Sequence, residues 1–152
     1  MKYDLEKILP HNHPMILIDD IVEMNIDEKN LVAKVIINED KLFFDKTLNG
    51  VPYLTGIEFM AQTIGCYAYF RAQRTEPKLG FLLGTRSYKS NIEKFENNKT
   101  YTVKVSEIYG DSELVSFECL IYNEEEKECA SAVINAYQPE NAEEYLKNGF
   151  RN

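Results

Sequence analysis

Thr55-Gly56-Ile57-Glu58-Phe59-Met60-Ala61-Gln62-Thr63-Ile64-Gly65-Cys66-Tyr67-Ala68-Tyr69-Phe70-Arg71-Ala72-Gln73-Arg74 is the stretch on which the fold turns. Ile57, Met60, Ala61, Ile64, Ala68 and Ala72 recur at spacings of three and four, the period of an α-helix. Its start, Thr55-Gly56-Ile57-Glu58, fits a capping box, in which a Thr hydroxyl and a Glu carboxylate satisfy orphan N–H groups of the first turn. From Phe59 to Phe70 no side is charged, so a sheet is expected to wrap most of this helix and other protein to cover the rest. The same stretch is well short of the roughly 18 apolar residues needed to span a bilayer, and Gln62 and Thr63 interrupt it.

Outward from the helix, the N-terminal side reads as a short leading helix, Tyr3 to Leu9, stopped by Pro10. Two β-branched runs follow, Met15 to Ile26 and Leu31 to Ile37, joined by the polar turn Asp27-Glu28-Lys29-Asn30 as a hairpin. On the C-terminal side Gly80 to Ser90, Thr100 to Tyr109, Leu114 to Asn123 and Glu128 to Tyr137 are strand-like and separated by turn signals, the pattern of an antiparallel meander. Val115, Phe117, Cys119 and Ile121 alternate with Ser116, Glu118 and Leu120, which gives one apolar face. The expected architecture is α+β: about six antiparallel strands wrapped around one central helix, the hot-dog fold. Its open edges favour pairing with a second copy.

A chain of 152 residues and 17.6 kDa suits a single domain, here taken as 1–152, and 44% hydrophobic with 28% charged residues is the composition of a packed globular protein. A net charge of −8 argues against nucleic acid, whose phosphates demand a cationic surface. Within it, Arg71 to Lys104 holds eight basic and three acidic residues, a local charge of +5 that would suit an acidic or phosphorylated partner. Met1 to Lys7 lacks the apolar run of a secretory signal, so the expected compartment is the cytoplasm. Cys66, Cys119 and Cys129 are an odd number without CxxC spacing and read as small buried hydrophobes.

Two groups could carry acid–base chemistry. Both histidines, His11 and His13, lie in Pro10-His11-Asn12-His13-Pro14-Met15, a segment stiffened by proline at each end, and imidazole is the side chain that titrates near neutrality. They read either as surface-loop residues or as the source of a general base. A metal on His-x-His lacks an obvious third ligand, so no metal is expected. Glu58 stands alone in the first turn of an otherwise uncharged helix, where burial would favour its neutral, proton-donating form; it is either a cap or an acid, and the roles can coexist. Helix-start N–H groups near Gly56 and Ile57 could receive a carbonyl gaining negative charge, and Gln62, one turn on, could orient Glu58 or fill a polar pocket.

Four blocks, Leu9 to Asp19, Gly56 to Gln62, Gly80 to Arg86 and Asn135 to Pro139, resemble in residues and order the hot-dog β-hydroxyacyl-(acyl-carrier-protein) dehydratases, with greatest similarity to the aryl polyene branch. The resemblance implies loss of water from a β-hydroxyacyl thioester on an acyl carrier protein or CoA, in fatty-acid-like or polyene biosynthesis, with no cofactor. Glu58 matches the family's helix carboxylate and would be the acid. The fatty-acid dehydratases carry their base histidine in a Gly-His-Phe-Pro-Gly loop before the helix, whereas the corresponding segment here, Phe43 to Pro52, has none. Two expectations follow: His11 replaces that base, or the chain is a catalytically silent partner of an active homologous subunit. A homodimer or larger assembly, or a hetero-oligomer, would form the acyl tunnel between subunits, with walls near Phe44, Leu54, Phe59 and Phe81. The alternatives are a hot-dog thioesterase using the same carboxylate, and a module that binds acyl carrier or acyl-CoA without reaction.

Overall fold

The computed structural model describes residues 3–9, 13–71, 82–110 and 114–137. The uncharged stretch forms α2 (Gly56–Arg71), on which Phe59, Met60, Thr63, Ile64, Cys66 and Tyr67 are all buried. Burying a side chain as large as Phe59 or Met60 contributes roughly 1.5–3 kcal/mol relative to leaving it in water, which drives the sheet onto the helix. The expected end of this helix, 72–74, lies outside the described residues.

The strands are β1 (Asp20–Asn25), β2 (Asn30–Ile36), β3 (Gly50–Pro52), β4 (Leu82–Ser90), β5 (Lys94–Glu96), β6 (Thr100–Gly110), β7 (Leu114–Tyr122) and β8 (Glu128–Tyr137). Six form one antiparallel sheet in the order β1-β2-β6-β7-β8-β4, and α2 packs against β2, β4, β6, β7 and β8. The chain therefore has the hot-dog architecture, one long helix held by a six-stranded antiparallel sheet. Strict alternation makes this possible: Tyr101, Val103 and Val105 of β6 and Phe117, Cys119 and Ile121 of β7 all turn inward. On β8 the inward positions include Ala130, Ala132, Ile134 and Ala136, mostly small side chains that leave room for the helix.

Three sequence expectations change. The late strands are not one meander, because β4 pairs with β8 at Leu82↔Tyr137 through Ser90↔Ala130, and β2 takes the place beside β6. The short β3 and β5 pair with each other as a separate two-stranded sheet, too brief for any periodicity to betray. The first hairpin strand begins at Asp20 rather than Met15, because the N–H groups of Leu17 and Ile18 are taken by the Gln62 side chain instead of a strand.

Ahead of α2, Leu5 and Ile8 of the short helix α1 (Leu5–Ile8) are buried, and Asp4 caps it by accepting the Glu6 N–H at 3.2 Å. Tyr3 meets Phe70 edge to face at 5.7 Å, so the leading segment lies against the far end of α2. That end is also pinned by charge: Glu107, 4% exposed, accepts from the Tyr67 hydroxyl at 3.0 Å and from Arg71 Nε at 3.0 Å.

Candidate active site

The first turn of α2 does not begin at a Thr cap. Tyr53–Thr55 already form a 3-10 turn that runs straight into Gly56, so Thr55 has helical backbone and cannot serve as the extended residue of a capping box. The Gly56 N–H is donated back to the Tyr53 carbonyl, closing the 3-10 turn onto the helix. Gly56 itself is required by packing, since a Cβ there would stand 2.2 Å from the Tyr88 hydroxyl. That hydroxyl donates to the Tyr53 carbonyl at 2.5 Å, tying β4 to the start of the helix.

Beside this turn lies a cavity of about 360 Å³ lined by Met15, Leu17, Phe43, Leu54, Thr55 and Glu58. Among these lining residues Glu58 is the one ionisable group, on walls that are otherwise apolar apart from Thr55. Leu54 lines the cavity as expected, whereas Phe59 is buried in the core and Phe44 is half-buried against it; Phe43, Met15 and Leu17 supply the remaining wall. Phe81 lies outside the described residues, as does His11. His13 is described and exposed, joined to Pro14 by a cis peptide bond. The Phe43 to Pro52 segment contributes Phe43 to the cavity and no histidine.

Gln62 organises the polar side of the cavity. It is 1% exposed, and its carboxamide uses every position it has: Oε1 accepts from Leu17 N at 2.8 Å and Ile18 N at 3.4 Å, while Nε2 donates to Met15 O at 2.7 Å and Glu58 Oε1 at 3.3 Å. One side chain thus fixes both the Glu58 carboxylate and the backbone that follows the histidine segment. Nothing in the Gly56 to Gln62 block signals this bond pattern, because Gln62's partners are 44 to 47 residues away apart from Glu58.

The three cysteines are buried, and burial pushes the Cys66 and Cys119 thiols up to about 12 and raises Cys129 as well, so none offers a ready nucleophile. Among the described residues no group of three His, Cys, Asp or Glu side chains converges as a metal site. Of the basic segment, Arg74 and Lys78 lie outside the described residues; Arg71 pairs with Glu107, Lys94 donates to the Leu48 carbonyl at 2.6 Å, and Lys99 lies 3.7 Å from Glu124.

The model of the ApeP-like family, described as ApeP dehydratase, matches residues 3–147 of the chain. The chain belongs to the ApeP-like dehydratase family. It is also similar to the bifunctional enzyme LpxC/FabZ of Chlorobaculum tepidum, with 38% identity over 84 residues, covering 53% of this chain and 18% of that protein. The 3-hydroxyacyl-(acyl-carrier-protein) dehydratase FabZ of Acetivibrio thermocellus is 33% identical over 90 residues, 57% of this chain and 60% of its own length. The chain therefore spans 60% or less of these curated relatives. Among solved structures, the dehydratase heterocomplex ApeI:P from Xenorhabdus doucetiae superposes with a TM-score of 0.84 over 97% of both chains at 23% identity. The E. coli PaaI protein superposes at 0.59 with 10% identity over 81% of this chain and 80% of that one. At these identities the two structures attest the ApeP-like chain's fold. Among the described residues, no helix of this ApeP-like protein is long and apolar enough to cross a membrane.

Proposed function

We propose that this ApeP-like chain removes water from a β-hydroxyacyl thioester carried on acyl carrier protein or CoA, in fatty-acid-like or polyene biosynthesis, with Glu58 as the acid. The observation that carries this reading is the single carboxyl group set into the apolar wall of the cavity and held by Gln62. A base takes the C2 proton, the C2–H electron pair becomes the C2–C3 double bond, and the C3–O bond breaks as Glu58, the acid, gives a proton to the leaving hydroxyl. The product is the enoyl thioester and one water. The thioester carbonyl rests against the helix start near Gly56 and Ile57, whose partial positive charge favours an oxygen gaining negative charge. Gln62 acts here as a positioning residue.

The base in this reading is His11, four residues before the Met15 carbonyl that Gln62 holds. A second copy of the chain closes the cavity: Met15, Phe43 and Leu54 at its rim are 48%, 45% and 57% exposed, an apolar mouth that water does not favour. The absence of a histidine from Phe43 to Pro52 favours a second reading, in which the chain is the silent partner of an active homologous subunit, as the heterocomplex composition of the Xenorhabdus protein suggests.

The test offers the purified full chain a β-hydroxyacyl thioester and follows enoyl absorbance and free thiol separately. Enoyl formation without thiol release supports dehydration, thiol release identifies a thioesterase, and binding without either signal leaves a carrier module. Glu58→Gln is expected to lower turnover by at least about 10²-fold with an unchanged melting temperature, and full activity in this variant would remove Glu58 from the mechanism. His11→Ala is expected to do the same; an inactive wild type rescued by a homologous subunit would select the second reading.

A further inference from the structure

Lys41 is a lysine with only 11% of its side chain exposed, a burial rare for an ammonium unless acceptors surround it. Its Nζ donates to the Leu17 carbonyl at 2.8 Å and to Asp19 Oδ2 at 2.7 Å, and the same Asp19 oxygen accepts the Ile36 N–H at 2.6 Å. On its own side, the Lys41 N–H donates to the Asn38 carbonyl at 3.2 Å and the Lys41 carbonyl accepts the Phe44 N–H at 3.0 Å. The turn that presents Phe43 to the cavity is therefore closed on Lys41. Leu17, which also lines the cavity, is gripped twice, by Gln62 through its N–H and by Lys41 through its carbonyl.

We propose that Lys41 is a positioning residue that sets the width of the acyl cavity, by locking the Phe43 turn to the Leu17–Asp19 segment; this rests on the reading that the cavity receives the acyl chain. Leu17 and Phe43 sit on segments that no strand pairing joins, and the Lys41 ammonium bridges them directly. A gap between apolar walls selects chain length and shape, because each methylene that fits or fails to fit changes discrimination by about tenfold or more. Releasing the clamp lets the Phe43 turn move away from Leu17 and blurs that selection, while Glu58 and Gln62 keep their own contacts.

The experiment compares wild type, Lys41→Met and Lys41→Arg as full chains on β-hydroxyacyl thioesters of short, medium and long chain, with binding of the matching unreactive pantetheine thioethers measured by calorimetry. Lys41→Met keeps the stem and removes one partner of the pair, leaving Asp19 and the Leu17 carbonyl without their donor, so a thermal melt first establishes that the variant folds. The expected result is a flattening of the chain-length preference by about tenfold, carried by KM and by thioether affinity, with kcat within about twofold and partial recovery in Lys41→Arg. An unchanged preference, or the same loss on every chain length, would overturn the proposal by making Lys41 merely structural. Should Lys41→Met not fold, Asp19→Asn weakens the same clamp and is read by the same criteria. A wild type that binds the thioethers with a chain-length preference but forms no enoyl product defeats the dehydratase reading and leaves the Lys41 proposal to be judged on binding. A wild type that binds none of them overturns the proposal.

Discussion

Gln62 shows how much a single residue decides in this protein. Its carboxamide bonds the two N–H groups of Leu17 and Ile18, the carbonyl of Met15 and the carboxylate of Glu58. Replacing it by leucine, similar in size and without hydrogen-bonding atoms, leaves those backbone groups unpaired in a closed space. Each such group costs about 1–3 kcal/mol, so Gln62→Leu is expected to lower stability by about 3 kcal/mol or more in urea titration. A loss below about 1 kcal/mol would show that water replaces the carboxamide without difficulty. That Gln62 sits one turn from Glu58 was legible from their spacing of four, but that it also holds the leading segment was not, because hydrogen bonds across 44 to 47 residues leave no local trace.

At the scale of elements, the start of α2 is set by β4. The Tyr88 hydroxyl lies where a Gly56 side chain would be and bonds the Tyr53 carbonyl, while Tyr53 and Tyr88 stack at 6.4 Å. Burial holds the Tyr88 phenol well above its usual range, which favours its protonated, donating form. Gly56→Ala is expected to destabilise by about 1–3 kcal/mol through overpacking, and Tyr88→Phe in the same chain to recover part of it by removing the oxygen in the way. If the two changes simply add in thermal melts, the hydroxyl is not the obstacle. From sequence, Gly56 reads as a point of ligand approach; the strand that explains it lies 32 positions further along and is brought there only by the pairing of β4 with β8.

For the whole molecule, the buried titratable groups make a statement about alkaline stability. The Cys66 and Cys119 thiols rise from 9.0 to about 12 through desolvation, and the Tyr67 hydroxyl from 10.0 to about 12 through desolvation and its bond to Glu107. Their folded-state values lie above the unfolded ones, so above pH about 9 the native chain holds protons that the unfolded chain has lost. The stabilisation is complete below that point and disappears as the pH climbs toward about 12. Melting temperature is expected to fall steadily from pH 9 upward, and a flat profile to pH 11 would mean these groups reach solvent in the native state. Cys66→Ala and Cys119→Ala together should shrink the slope.

The amino-acid sequence by itself determined the central helix, the inward face of β7 and the place of Glu58 as the first-turn carboxylate of an otherwise uncharged stretch, since each follows from a periodicity or a contrast contained within one short segment. Tertiary structure alone decided that β4 lies beside β8, that Thr55 is already helical, and that Lys41 and Gln62 both grip Leu17 of the cavity wall. Periodicity reports which face a residue shows to the core, and local spacing reports neighbours on one element. Which distant acceptor a buried donor meets is set by strand order and packing, and those exist only once the chain has closed on itself.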